Sequence, residues 1–276
     1  MKRFIIVLGL MWGLMMLIAG CAADTKEPAP EAAKPAAVKT ETTVATAVPK
    51  GIPVLMYHKV GPDEDNDAVI REDLFRAQMK LLHDKGFNPI TMEQLNDYVR
   101  NGKAVPVKPV VLTFDDGYAD TYSIVYPVLK EYGFAATVFV NPGDVGTRLT
   151  WEQIKEMQKG GVTIASHGYD HVRMNELSKS EQLDNIVKAQ KALKDQLGID
   201  NKWFCYPYGR QEEYTQKAAE DNGILLAVTM NPGWVHHGDN PYALQRIWIG
   251  NAVGFEAFEE RITTEITRFI IDRSKG

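Results

Sequence analysis

Two rhythms alternate along the chain after residue 50. Short, almost wholly apolar runs predict strands over 53–57, 110–114, 135–140, 162–165, 203–206, 225–229 and 244–249. Between them apolar residues recur at helical spacing. A helix is predicted over 73–85, with Leu74, Phe75, Met79 and Leu82 on one face and a stop at Gly86. Thr91 opens a second helix, with Gln94 three residues on as a capping box. Further helices are predicted over 119–132, from Thr150 (a second box, with Gln153) to Gly160-Gly161, over 178–197, over 212–222 and over 255–271. Strand–helix alternation of this length predicts an α/β fold with a largely parallel sheet, closed into a barrel of about seven strands. No Gly-x-Gly-x-x-Gly turn follows the first strand, which weakens a dinucleotide-binding reading.

The first fifty residues follow neither rhythm. Lys2 and Arg3 precede an uncharged run from Phe4 to Gly20, the pattern of a signal peptide over residues 1–20. Its end, Leu17-Ile18-Ala19-Gly20-Cys21, resembles a bacterial lipobox, which makes Cys21 the expected lipidated residue; a retained membrane anchor is the rival. Residues 21–50 are mostly Ala, Pro, Thr, Lys and Glu without an aromatic side chain, the composition of a disordered tether. The expected location is outside the cytoplasm, lipid-anchored to a bacterial membrane and facing the cell wall or periplasm. Removal of residues 1–20 takes two bases and no acids, so the formal charge moves from −5 to −7. Attachment would then be through lipid rather than a basic patch. The same excess of acids argues against a nucleic-acid partner. Two cysteines, Cys21 and Cys205, exclude a disulfide framework.

Three polar clusters fall at predicted strand ends: Thr113-Phe114-Asp115-Asp116-Gly117, Ser166-His167-Gly168-Tyr169-Asp170-His171, and Tyr206-Pro207-Tyr208-Gly209. Each alone reads as a turn. Together they converge, because the C-terminal strand ends of an α/β barrel form one mouth. A catalytic divalent cation needs about three protein ligands and an open position. His167, His171 and one carboxylate supply such a set, and the neighbouring carboxylate can take a proton from water. This is equipment for hydrolysing an amide or ester.

The chain here resembles the polysaccharide deacetylases, the NodB-homology domains of carbohydrate esterase family 4, over most of residues 51–276. The resemblance implies a distorted, NodB-like (β/α) barrel and removal of N-acetyl groups from N-acetylglucosamine-containing polysaccharide: peptidoglycan, chitin-like polymer or poly-N-acetylglucosamine. It implies that Asp115 is the general base and that Asp116, His167 and His171 hold one divalent metal. Zinc is expected first, with cobalt, nickel, manganese or iron as alternatives. Pro207 and Tyr208 would wall the substrate groove, and the Tyr208 N–H would help hold the oxyanion. A monomer is expected.

Two family features are missing. The third motif, Arg-x-Pro-Tyr, has Cys205 in place of the arginine that braces the base, and no downstream Leu-x-His is evident. Gly51 to His58 resembles the opening of the poly-N-acetylglucosamine deacetylase branch, which implies that His58 is the general acid. Its ordinary pKa of ~6.5 suits the task, and a nearby aspartate would raise it. Arg246 is the candidate replacement brace for Asp115, against a surface arginine. Trp234 follows Pro232-Gly233 and is a candidate sugar platform; Trp151, Trp203 and Trp248 read as core. His236 and His237 are expected near the groove without a role. Two other readings stand beside the amidase: an O-acetyl esterase on xylan or cell-wall glycan, and a catalytically silent polysaccharide-binding lipoprotein.

Overall fold

A computed structural model describes residues 45–62 and 65–265. The whole expected signal peptide, Cys21 and residues 22–44 of the expected tether lie outside the described residues. Seven parallel strands close into a barrel: β1 (Val54–Tyr57), β2 (Pro109–Phe114), β3 (Thr137–Val140), β4 (Thr163–Ser166), β5 (Trp203–Cys205), β6 (Leu226–Pro232) and β7 (Leu244–Trp248). They pair in chain order, and β7 returns to β1 with Ile247 opposite Leu55. Distortion is local. A single register pair, Ser166 with Phe204, joins β4 to β5, and β6 shifts register against β7 between Val228 and Pro232. The connections carry α1 (Glu72–Asp84), α2 (Met92–Asn101), α3 (Tyr126–Tyr132), α4 (Trp151–Lys159), α5 (Lys179–Leu197), α6 (Glu213–Asp221) and α7 (Phe255–Thr263). Both expected capping boxes form reciprocally, Thr91 with Gln94 and Thr150 with Gln153.

The strands are apolar on both faces because helices cover the outside and side chains fill the inside. Alternate residues therefore enter two cores. Leu55, Tyr57, Leu112, Phe114, Val138 and Ile164 pack outward with Phe75, Met79 and Leu82 of α1. Val54, Val111, Phe139, Ala165, Cys205 and Leu244 form an inner cluster with Leu95, Tyr98 and Val99 of α2. That helix plugs the N-terminal end of the barrel. Its Tyr98 hydroxyl donates to the carbonyls of Pro49 and Lys50 ahead of β1, and its Arg100 donates to the Leu225 carbonyl ahead of β6. Apolar packing closes one end and leaves the other for polar side chains.

Three expectations change. The helix expected over 119–132 divides into a π-helical turn at Thr121–Val125 and α3. Pro127 has no N–H to bond back and crowds the carbonyl of Ser123, so the ladder changes register there. The last helix, expected to 271, stops at Thr263, with Thr264 extended; residues 266–271 of that expectation lie outside the described residues. Two successive threonines are β-branched, and the Thr263 hydroxyl donates to the Glu259 carbonyl. The tether, expected through residue 50, ends earlier. Thr46–Ala47 pair antiparallel with Val105–Pro106 through backbone bonds that need no apolar side chain.

Candidate active site

Following the inward parity up the strands leads to the mouth. Asp115 continues the series Val111, Thr113; His167 follows Ala165; Arg246 and Trp248 follow Leu244; His58 follows Val54 and Met56.

Asp116, His167 and His171 come together as the spacing predicts. Asp116 sits in the left-handed region at φ 71°, which turns its carboxylate away from the Asp115 side. Such a conformation costs on the order of 1–3 kcal/mol in a non-glycine residue and persists where the surroundings enforce it. Asp116 Oδ1 lies 3.4 Å from His167 Nε2 and 3.1 Å from His171 Nε2. It is nevertheless a buried oxygen without an aligned hydrogen bond. Burial would raise the Asp116 pKa, but the two histidines hold its carboxyl well below the usual range. The Nδ1 of His167 is 2.7 Å from the Cys205 carbonyl, so a proton there leaves Nε2 with its lone pair toward Asp116. Two nitrogens and an orphaned carboxylate oxygen converging on one point fit a divalent cation.

Asp115 has the opposite condition. It is almost fully buried, and Arg246 grips it with both terminal nitrogens, at 2.8 Å to Oδ1 and 2.7 Å to Oδ2. Arg246 is no surface arginine; it is fully buried inside the barrel. Its remaining donors go to the Thr229 carbonyl, the Thr113 hydroxyl and the Cys205 sulfur. All five guanidinium N–H groups are accounted for, as a buried arginine requires. Burial would raise the Asp115 pKa; the guanidinium charge and its hydrogen bonds outweigh that and lower it. Burial pushes the Cys205 thiol up, so it stays protonated beside Asp115 Oδ2 at 3.4 Å.

His58 also reaches the site, with Nε2 3.9 Å from Asp115 Oδ2. Its expected rise in pKa is overturned: burial lowers it, and the charge of Asp115 does not compensate. Trp248, read from sequence as core, packs against His58 with ring centroids 4.8 Å apart. It also lines a cleft of about 460 Å³ beside Arg246 and Tyr208. Tyr208 is exposed at φ 57°, its ring 4.5 Å from that of His171. The following Gly209, at φ 65°, approaches so closely that a Cβ would stand 2.7 Å from the Met230 nitrogen. Pro207 is buried beneath this turn and does not line the cleft.

Trp234 is not at the cleft either. Its indole N–H donates to the Arg261 carbonyl of α7, and its ring packs on the outer core. The turn after Pro232-Gly233 leads back to the barrel floor, where Val235 bridges Ile52. His236 and His237 follow it there, away from the groove. His237 Nδ1 lies 3.0 Å from the Val99 carbonyl of α2, and His236 meets Glu265.

Sequence reasoning missed the residues that hold the histidine loop. Asn141, at the end of β3, donates to the His167 carbonyl. Asn185 of α5 accepts the Tyr169 N–H at 2.8 Å. The available signal was a polar residue on the buried face of an amphipathic helix, where Asn185 accompanies Ile186 and Ala189.

A parallel barrel with a carboxylate–histidine cluster and a braced second carboxylate at its strand ends defines a hydrolase-type site. The polysaccharide deacetylase profile matches residues 102–227. YxkH of Bacillus subtilis (strain 168), a protein named for that family, is 33% identical over 274 residues, covering 94% of this chain and 97% of YxkH. The chain belongs to the polysaccharide deacetylase family. The poly-β-1,6-N-acetyl-D-glucosamine N-deacetylase of Staphylococcus epidermidis is 28% identical over 73% of this chain and 74% of its own. The Escherichia coli (strain K12) enzyme of that name is 23% identical, and the match spans only 39% of its length. Among solved structures, Streptococcus pyogenes deacetylase PplD in complex with acetate aligns with a TM-score of 0.72 at 28% identity, covering 80% of this chain and 99% of PplD. IcaB from Ammonifex degensii aligns with a TM-score of 0.71 at 27% identity, covering 78% and 98%.

Proposed function

We propose that the protein is a metal-dependent amidohydrolase that removes N-acetyl groups from an N-acetylglucosamine-containing polysaccharide. The observation that carries this is the pairing of an orphaned ligand oxygen, Asp116 Oδ1 between two histidines, with an adjacent carboxylate locked by Arg246. Asp116, His167 and His171 would hold the cation, zinc first among the candidates for two nitrogens and one oxygen. When bound, such a cation lowers the pKa of a water from ~15.7 toward ~7 and polarises a carbonyl. Asp115, kept ionised by Arg246, accepts a proton from the attacking water. Tyr208 presents its backbone N–H where the carbonyl oxygen gains charge. His58 returns a proton to the leaving amine, which departs poorly as an anion. In the resting protein burial disfavours its charged form. The developing negative charge and Asp115 therefore have to favour the imidazolium during the reaction.

The relatives named for poly-β-1,6-N-acetyl-D-glucosamine and the acetate seen with PplD support an N-acetylated glycan and an acetate product. The N-terminal pattern supports export and anchoring through lipid at Cys21. The test is elemental analysis of the purified protein together with mass spectrometry of acetate loss from chitin, poly-β-1,6-N-acetylglucosamine and peptidoglycan fragments. Absence of acetate release from all three at full metal occupancy would defeat the proposal; release from O-acetylated glycan alone would turn it to the esterase.

A further inference from the structure

Asp116 and Gly117 form a left-handed pair after β2, at φ 71° and 61°. In a non-glycine residue such a backbone persists where its surroundings enforce it. Arg148, in the segment between β3 and α4, does so here. Its Nη1 donates to the Asp116 carbonyl at 2.9 Å. The guanidinium also lies over the Tyr118 ring, 4.5 Å from the centroid, so Arg148 grips the turn on both sides of Gly117. Its other terminal nitrogen, Nη2, is 3.6 Å from Asp144 Oδ2. The next residue, Leu149, backs Gly117 together with Val140; a Cβ on Gly117 would stand 3.4 Å from the first and 3.1 Å from the second. Arg148 Nη1 is 3.7 Å from Asp116 Oδ1, beyond hydrogen-bond reach, so the bond it makes is to the backbone and not to the carboxylate.

The same segment holds the histidine loop. Asn141 donates to the His167 carbonyl, and the Gly143 N–H donates to the Tyr169 carbonyl at 2.9 Å. A Cβ at Gly143 would stand 2.9 Å from that carbonyl and from the Asp170 carboxylate, so only glycine lets the two backbones approach. Residues 141–148 therefore bond to both ligand-bearing turns, which leave different strands. We infer that Arg148 is a positioning residue for the cation site: through the Asp116 carbonyl it fixes the turn that aims Oδ1 between His167 and His171, and so sets the affinity for the divalent cation. This rests on the proposed cation site and adds that its affinity is governed from the β3–α4 segment, which supplies no ligand. The charge of Arg148 acts the other way, because a guanidinium this close repels a bound cation. Positioning and charge thus predict opposite signs when Arg148 is removed.

The test titrates zinc into the metal-stripped full chain in competition with a chromogenic chelator. Arg148→Ala should bind zinc roughly 10–100-fold more weakly than the wild type, the range for a group that orients a ligand. Arg148→Lys keeps the charge and one donor without the fork, and its affinity should lie between the two. The visible absorption of the cobalt(II)-loaded protein gives a second readout. It should change in Arg148→Ala, where Asp116 meets the ion differently, and return toward wild type in Arg148→Lys. A merely structural role would lower the melting temperature of the metal-free protein and leave zinc affinity and the cobalt spectrum unmoved. Equal or tighter zinc binding by folded Arg148→Ala would overturn the inference, tighter binding marking the loss of repulsion alone. Should Arg148→Ala not fold, Arg148→Lys decides: weaker binding than wild type upholds the inference and equal binding overturns it. A wild-type protein that binds neither zinc nor cobalt would defeat the proposed cation site itself, and this inference with it.

Discussion

The two sides of the barrel mouth handle charge in opposite ways. On the β2–β4 side, Asp116, His167 and His171 point at a common centre and leave a buried oxygen without an aligned hydrogen bond. On the β5–β7 side, Arg246 spends all five donors on Asp115, Thr113, Thr229 and Cys205. A buried polar atom left unsatisfied costs on the order of 1–3 kcal/mol, so it persists where a ligand completes it. A saturated cluster has no room for a ligand and acts as a brace. Adjacent aspartates in one turn thus have different occupations, and the hydrogen-bond accounting distinguishes them.

The largest effect expected from breaking this contrast is on the open side. Alanine at His167 should abolish both bound metal and activity; full metal occupancy in His167→Ala would contradict the assignment. Asp115→Asn should keep the metal and lose turnover by ~10²–10⁴-fold, the contribution of a positioned base. Metal loss in that variant would exchange the two roles. On the saturated side, Arg246→Ala leaves Asp115 buried and unpaired, so denaturant unfolding should report a loss of about 3–5 kcal/mol. Arg246→Lys keeps a charge without the fork and should be milder in stability than in turnover. An Arg246→Ala protein as stable as wild type would mean that the brace is dispensable.

His58→Ala should retain metal and lose kcat by roughly 10²-fold on an N-acetyl substrate, and less on an O-acetyl ester, whose alkoxide leaves more readily. Wild-type amide turnover in that variant would leave Asp115 to serve both as base and acid. The smallest effect is on stability in mild acid. The folded chain holds His58 below its ordinary ~6.5, so the unfolded chain takes that proton first, and stability should fall as pH drops below about 6.5. Asp115 and Asp116 are held below the usual ~3.9; their contribution is present above that value and is lost as pH falls further. Because neighbouring groups hold His167 above ~6.5 despite its burial, its contribution rises as pH falls toward that value and opposes the His58 decline. Urea titrations of metal-stripped wild type and His58→Ala separate the two, and the same slope in both proteins between neutrality and about pH 5 would contradict the His58 part.

Much of the fold was legible because barrel strands and surface helices have different periods, and the capping boxes at Thr91 and Thr150 mark starts that depend only on neighbours. The metal cluster was legible for a similar reason: Asp115-Asp116 and the His167–His171 spacing each lie within one short segment, and strand ends of a barrel meet. Arg246 was half legible. Its alternation with Leu244 points inward, but a charge inside a barrel is only reasonable once Asp115 is known to lie opposite.

The sequence by itself determined the order of elements, the parallel barrel and the residue types available for hydrolysis, since these follow from periodicity and local spacing. Only the tertiary structure decided which tryptophan meets the cleft. Trp234 lies in the loop after Pro232-Gly233 and Trp248 inside the strand predicted over 244–249, so local sequence favours the wrong one. The β6 chain turns back to the barrel floor after Gly233, whereas β7 runs on to the mouth beside β1. The same closure brings His58, Cys205 and Arg246 around Asp115 from three other strands. Distances between residues so far apart in sequence are set by strand pairing around the barrel, a property of the whole sheet that no single segment encodes.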